Sequence, residues 1–323
     1  MPMNPSRRSL LQSAAALTAV SPLALWSQTP AKLTLQAAWV NDAEFMGYFI
    51  AMDNGYYKAE GLDLKYLSGG PDVIPEASLL SKKADVALTT VETAIKAITD
   101  QKAPLVIIGA QYQKNPVGIV SLASKPLKTP ADLVGKTIAV PPVNRLTVEA
   151  MLKLNGIDKS KVKIVPYAYD PTPLIKGEID GSLDFTTNVP FTIKSKGKDA
   201  TSFLLADFKL PLFNDVVVVT QDTLKNRRKD LLGFLRASRK GWVENFKDTA
   251  AYPPKFKDTW FKGTGRSVEN ELFFNQAQKP LIEHPAGIFA MTDEAIANCI
   301  AALNAVNVKA TKAHFDTSLL KEI

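Results

Sequence analysis

Residues 33–67 read LTLQAAWVNDAEFMGYFIAMDNGYYKAEGLDLKYL. The stretch opens with alternation from Leu33 to Ala38, the period of a half-buried strand. From Ala43 to Ala59 the period lengthens. Phe45, Phe49, Met52 and Tyr56 then fall four, three and four residues apart, which predicts a helix with one apolar face. Leu62–Leu67 alternates again. A strand, a helix and a second strand in so few residues predict parallel pairing with the helix laid across the sheet.

The pattern repeats outward from this unit. Pro71–Lys82 and Val91–Thr99 read as helices, and Val86–Leu88 and Leu105–Ala110 as strands. A second unit begins at the extended run Val117–Leu122. Thr129 and Pro130 open a short helix as N-cap and first residue. Strands follow at Thr137–Val140, Val162–Val165, Ser182–Phe185, Ser202–Ala206 and Val216–Val219. Helices fall at Thr147–Leu154, Pro171–Lys176 and Val189–Lys196. Beyond about Thr223 the reading is helical: Leu231–Phe246, Ser267–Leu281, Thr292–Ala305 and Phe315–Leu320. These elements predict an α/β protein of two lobes, each a mostly parallel sheet flanked by helices. The expected division is residues 32–116 plus 221–323 for the first lobe and 117–220 for the second. The chain would cross between them near Asn115–Val120 and Val216–Thr220, forming a two-strand hinge. Open α/β sheets bind ligands beyond their strand C-termini, so the expected site lies in the cleft between lobes.

The N-terminus has the layout of an export signal, expected over residues 1–31. Ser6-Arg7-Arg8-Ser9-Leu10-Leu11 precedes an apolar stretch, Ala14–Trp26, broken by Pro22. That stretch is short of the roughly 20 apolar residues a spanning helix needs. The paired arginines fit a twin-arginine signal, and Ala24, Ser27 and Ala31 compete as cleavage positions. No cysteine follows for a lipid anchor. The expected product is soluble and periplasmic.

Composition excludes several classes. The chain has 39 Lys and Arg against 32 Asp and Glu, a net charge of +7. The leader carries Arg7 and Arg8 and no acid, so the remaining 37 bases against 32 acids give +5. The basic runs at Lys194–Lys198 and Arg227–Lys229 lack interleaved aromatics and read as solvated surface, so no nucleic-acid partner is expected. One cysteine, Cys299, and two histidines, His284 and His314, exclude a disulfide framework and a thiolate zinc cage, and predict no metal site.

Several strings carry a family resemblance. They are Trp39–Ala51 with its continuation Asp53–Leu64, Ser68-Gly69-Gly70-Pro71-Asp72-Val73, Ala84-Asp85-Val86, Asp132–Val140, Tyr169–Gly181 and Thr187-Asn188-Val189-Pro190. The chain resembles the periplasmic substrate-binding proteins of ABC importers that include thiamine-pyrimidine-precursor and riboflavin binders. Fungal thiamine-pyrimidine synthase is related to that family, as are sulfonate and nitrate binders at greater distance. The resemblance implies a type II periplasmic-binding-protein fold. It also implies a small-molecule ligand, a membrane permease as partner, and a monomer that needs no cofactor.

Mapped residue by residue, the resemblance implies cleft loops that follow the strands. Trp39 offers a flat face for a heteroaromatic ring, with Asn41 and Glu44 as polar neighbours. Thr89 and Thr90 precede a helix, where a hydroxyl caps the helix or meets ligand. Asn144 and Arg145 stand at a helix N-terminus suited to an anion or carbonyl oxygen. From the second lobe come Tyr169-Asp170-Pro171, with Asp170 placed as a cap, and Asn188, able to donate to and accept from a ring edge. Asn214 lies by the second crossover, as hinge or site. The synthase branch carries a cysteine-rich run and an essential histidine that this chain lacks. The implied role is therefore binding, without catalytic residues. The implied ligand is a thiamine-pyrimidine precursor, then riboflavin, then a sulfonate or nitrate.

Overall fold

The computed structural model describes residues 29–323, so the expected export signal falls almost wholly outside the described residues. β1 (Ala31–Gln36) and β2 (Leu62–Leu67) pair in parallel from Ala31–Leu62 to Gln36–Leu67, as the alternation predicts. β3 (Val86–Thr89) joins the other side of β1, also parallel. The intervening helix is divided. A 3-10 turn, Ala43–Phe45, leads into α1 (Met46–Asp53), and Asn54-Gly55 separates it from α2 (Tyr56–Ala59). Gly55 takes φ +70, a left-handed conformation that interrupts helical geometry at small cost only for glycine. α3 (Pro75–Leu80) starts later than its apolar pattern predicts, with Pro75 fixing the first turn. α4 (Val91–Asp100) and the fully buried β4 (Leu105–Tyr112) complete the first unit.

The second unit contains β5 (Val117–Leu122), β6 (Thr137–Val140), β7 (Lys163–Pro166), β8 (Gly181–Phe185) and β9 (Ala200–Leu204). Its helices are α5 (Arg145–Leu154), α6 (Thr172–Lys176) and α7 (Val189–Ser195). The last strand, β10 (Asn214–Thr220), belongs to neither its sequence neighbours nor the second lobe. It inserts antiparallel between β3 and β4, Val217 opposite Leu88 and Gly109. The expected boundary at residue 220 is therefore moved. The chain returns before Asn214, and a strand of four consecutive valines fills the centre of the first sheet, where both faces are buried.

The two sheets have the same plan. Their orders are β2-β1-β3-β10-β4 and β7-β6-β8-β5-β9. In each, one strand arrives from the other unit and runs antiparallel to the remaining four: β10 in the first sheet, β5 in the second. The two crossovers thus lead into the middle of both sheets. The C-terminal edges of the parallel strands carry the loops 37–45, 141–145, 167–171 and 186–188.

After β10 the chain is helical and covers the first sheet, through α8 (Gln221–Asn226), α9 (Arg228–Lys247), α10 (Pro253–Phe256), α11 (Val268–Ile282) and α12 (Asp293–Ala305). Trp242 on α9 is fully buried and meets Tyr48 and Phe246. The segment Phe315–Leu320 is not a helix. Phe315 bridges to Ile107, and the Asp316 N–H donates to the Ile107 carbonyl at 2.8 Å, so the tail finishes beside β4. Among the described residues no helix is long and apolar enough to cross a membrane.

Candidate functional site

The loop after β1 is fixed by backbone contact. The Gly69 N–H donates to the Trp39 carbonyl at 2.8 Å, and a Cβ at Gly69 would overlap the backbone of Ala37, Ala38 and Trp39. Only glycine lets the Ser68-Gly69-Gly70 loop lie this close, and it holds Trp39 half-buried at the cleft. Facing it from the other lobe is Tyr169, in the loop after β7. The two rings are 6.1 Å apart, tilted by 56°. Tyr169 is 57% exposed and adopts φ +59. A bulky residue held left-handed stores strain, and such strain gathers at binding sites. Tyr167 continues the aromatic series, 5.8 Å from Tyr169.

Below Trp39, the first lobe presents a buried polar floor. Asp42 caps the 3-10 turn by accepting from the Glu44 N–H at 2.9 Å. Glu44, from the same turn, lies against Asp215 of β10, and the Gln111 amide donates to the Glu44 carbonyl at 2.8 Å and to Asp215 at 3.1 Å. Glu271 of α11 accepts from the Ala43 N–H at 2.5 Å. Arg266 is the cation of this group. Its guanidinium pairs with Glu271, lies 3.7 Å from Asp42, and reaches across the cleft to donate to Asn188 Oδ1 at 3.2 Å. The Asn270 amide donates to the same oxygen at 2.8 Å. Phe191 and Phe273 meet beside this contact at 5.6 Å.

Burial governs the charge state of the floor. Desolvation pushes the Asp42, Glu44 and Glu271 carboxyls above the usual range, opposed by Arg266. Asp215 is raised by the same cause, and the nearby Asp42 charge adds to the rise. In the second lobe, burial raises Asp184 to about 7, against the hydrogen bond it accepts from Ser182. Free carboxyls titrate near pH 4, so between about pH 4 and 7 the folded chain holds protons that the unfolded chain has released. Stability then falls as pH rises through that window. Exposed acids with lowered values, such as Asp132 and Asp170, act in the opposite sense but are solvent-screened. Melts of the ligand-free protein are expected to give a higher melting temperature at pH 5 than at pH 8. An equal or higher value at pH 8 would mean that the buried acids ionise normally.

The ten residues singled out from the sequence divide by location. Trp39 and Asn188 stand at the interlobe contact. Asn41 donates to the Trp260 carbonyl at 3.1 Å, and its buried Oδ1 has no protein partner. Glu44 and Asn214 are buried in the floor, Asn214 paired with Tyr112 in the sheet. Thr89 is buried in a structural network, donating to Glu76 at 2.7 Å. Thr90 caps α4 by accepting from the Thr93 N–H. Asn144 ends a 3-10 turn at the start of α5, and Arg145 pairs at 3.1 Å with Glu149 on its own helix. Asp170 is an exposed cap. The Thr172 side chain and N–H hold its carboxyl below the usual range.

Asp42, Asp184, Asp215, Arg266 and Glu271 were not foreseen. Asp42 carried a readable signal, an acid beside a helix start with an apolar run behind it. Arg266 follows a Gly-Thr-Gly turn whose distance from residue 42 in sequence hides their contact. Among the described residues no group of three or more His, Cys, Asp and Glu is arranged to hold a metal ion.

Residues 42–251 match the NMT1/THI5-like family. The chain is 23% identical over 262 residues to a riboflavin-binding protein, RibY, of Chloroflexus aurantiacus, covering 77% of this chain and 73% of the relative. It is 25% identical over 215 residues to a formylaminopyrimidine-binding protein of Halalkalibacterium halodurans, covering 64% and 65%. A 4-amino-5-hydroxymethyl-2-methylpyrimidine phosphate synthase of Legionella pneumophila is 23% identical over 228 residues, covering 67% and 69%. In fold, the periplasmic aliphatic sulphonate-binding protein SsuA of Escherichia coli aligns over 91% of this chain and 97% of its own, with TM-score 0.67 and 13% identity. The fold is thus that of the two-lobed periplasmic binding proteins. Since the matched segment runs from the Asp42 turn through both sheets to the end of α9, the chain belongs to the NMT1/THI5-like family.

Proposed function

We propose that this chain is an exported solute-binding protein that closes its lobes on a small heteroaromatic molecule and delivers it to an ABC importer. One observation carries the reading: Trp39 and Tyr169, one from each lobe, face each other at 6.1 Å. A flat ligand that parts and turns these rings stacks on one face from each lobe, so it bridges the lobes and shifts the open–closed balance toward the closed form. The names of the riboflavin- and formylaminopyrimidine-binding relatives support this ligand class. The leader pattern Ser6-Arg7-Arg8 supports delivery to a periplasm, and a permease is the corresponding partner.

Binding is favoured over catalysis by the chain's nucleophiles and bases. Cys299 is buried in α12, His284 accepts from the Ala286 N–H, and His314 accepts from the Thr311 N–H. Each is engaged in its own element, and the synthase relative stands as the competing precedent. The test is a thermal-shift screen against aminopyrimidines, riboflavin, thiamine and alkanesulfonates. A ligand at 100–1,000 times its Kd stabilises by about 2.7–4.1 kcal/mol. A shift with a heteroaromatic compound is expected, and a screen in which none shifts the melt would sink the reading. A yellow purified protein would make the ligand a flavin.

A further inference from the structure

We propose that Asn188 is an interlobe latch on which the closed form of the ligand-free protein depends, its side-chain oxygen clamped by Arg266 and Asn270 of the first lobe. The inference goes beyond the proposed function: it rests on the lobes opening and closing, and on no particular ligand.

Asn188 stands at the N-cap position of α7. An asparagine there ordinarily turns its side-chain oxygen back onto the first N–H groups of its own helix. Here the side chain makes no such bond. The oxygen crosses the cleft instead, accepting from Arg266 Nη2 at 3.2 Å and from Asn270 Nδ2 at 2.8 Å. Both donors are held by the first lobe. Arg266 pairs with Glu271 and lies 3.7 Å from Asp42, while Asn270 is in the first turn of α11, its N–H donating to the Ser267 cap. A carbonyl oxygen has two lone pairs, and the other lobe engages both. Asn188 thus joins the lobes with the atom that could have read a ring edge. One turn further along α7 and α11, Phe191 and Phe273 meet at 5.6 Å, tilted by 37°, and add an apolar contact between the same two helices.

The course of α11 makes this contact sensitive to opening. At its C-terminal end the Leu281 carbonyl accepts from the Gln113 N–H at 2.9 Å, where the first crossover begins. Gln278 accepts from the Tyr112 hydroxyl at 2.7 Å, at the end of β4. The two crossovers are themselves joined, the Asn115 N–H donating to the Leu212 carbonyl at 3.1 Å. From Asn270 to Leu281 the helix runs about 16 Å. One end of α11 therefore sits on the hinge and the other carries the latch, so a small hinge rotation is magnified where Asn188 is held. A parting of about 1 Å takes both bonds out of hydrogen-bonding range. The latch exists only with the lobes together, and its partners are all supplied by the chain itself.

Small-angle X-ray scattering of the ligand-free protein tests this on the wild type, Asn188→Ala, Asn188→Asp and Asn270→Ala, with melts of the same samples to show that each is folded. Loss of a hydrogen bond from a charged donor shifts an equilibrium by roughly tenfold or more. Asn188→Ala is expected to raise the open-to-closed ratio by that factor and to enlarge the radius of gyration. Asn270→Ala removes only a neutral donor and is expected to open the protein by a smaller factor. Asn188→Asp keeps an acceptor for both donors and is expected to scatter as the wild type does. An Asn188→Asp protein as expanded as Asn188→Ala would overturn the role of the acceptor, and equal radii for wild type and Asn188→Ala would overturn the latch. Should Asn188→Ala not fold, Asn270→Ala decides in the same way. A wild type that is open without ligand and contracts with a compound from the thermal-shift screen would overturn the latch and leave the closing of the lobes intact. If neither Asn188→Ala nor any compound changes the radius, both fail.

Discussion

Replacing Arg266 by alanine is expected to be the most damaging single change to the folded protein, at about 3–5 kcal/mol, because removing one member of a buried ion group leaves its partners charged and unpaired. The Arg266 side chain is 15% exposed, while the Asp42 and Glu271 side chains are 2% and 0% exposed. Glu44 lies in the same field, so the loss leaves three acids without a cation. Arg266→Met keeps most of the packing and is expected to cost nearly as much, since the penalty is electrostatic. The pH dependence separates this from a packing defect. The orphaned acids can neutralise by binding protons, so the loss should shrink between pH 8 and pH 5. Urea denaturation of both variants at the two pH values measures it. A loss below about 1 kcal/mol, as for an exposed pair, would show that solvent already screens the group.

The fold was largely legible because hydrophobic period reports local conformation directly. Residues 33–67 predicted a parallel strand pair, and β1 and β2 pair along their whole length. What failed was long-range or rested on backbone detail. Val216–Val219 is recognisable as a strand, but its partners are more than a hundred residues away, and nothing local says which sheet will take it. Phe315–Leu320 has a helical spacing but too few residues to form a helix against the competing backbone bond to Ile107. In the site, Trp39 and Asn188 were readable as chemistry exposed after a strand. Thr90 and Asp170 show the ambiguity of that signal, since the same exposed oxygen that could meet a ligand is satisfied by its own helix start. The acidic floor was hidden because Asp42, Asp215 and Glu271 come together from three distant segments. Tyr169 was visible within a Tyr-Asp-Pro string, but its left-handed backbone was not.

That left-handed backbone makes Tyr169 the cleanest probe of the site. Stacking on an aromatic side chain contributes about 1–3 kcal/mol per ring, so loss of either Trp39 or Tyr169 is expected to weaken a heteroaromatic ligand by roughly 5- to 150-fold. Trp39→Ala should also lower the melting temperature, because the indole is half-buried and packs on the core of the first lobe. Tyr169→Gly should not. The tyrosine is 57% exposed, and at φ +59 glycine relieves strain of about 1 kcal/mol. The variant is therefore expected to be as stable as the wild type, or more so, while binding far more weakly. Opposite signs for stability and affinity at one position identify a residue kept for ligand rather than for folding. Because the two rings are in contact, the double variant should depart from additivity, the second loss being smaller once the first wall is gone. Titration calorimetry with the ligand found by the screen, beside melts of the same samples, measures both. Unchanged affinity in Tyr169→Gly would place the ligand away from the Trp39–Tyr169 pair.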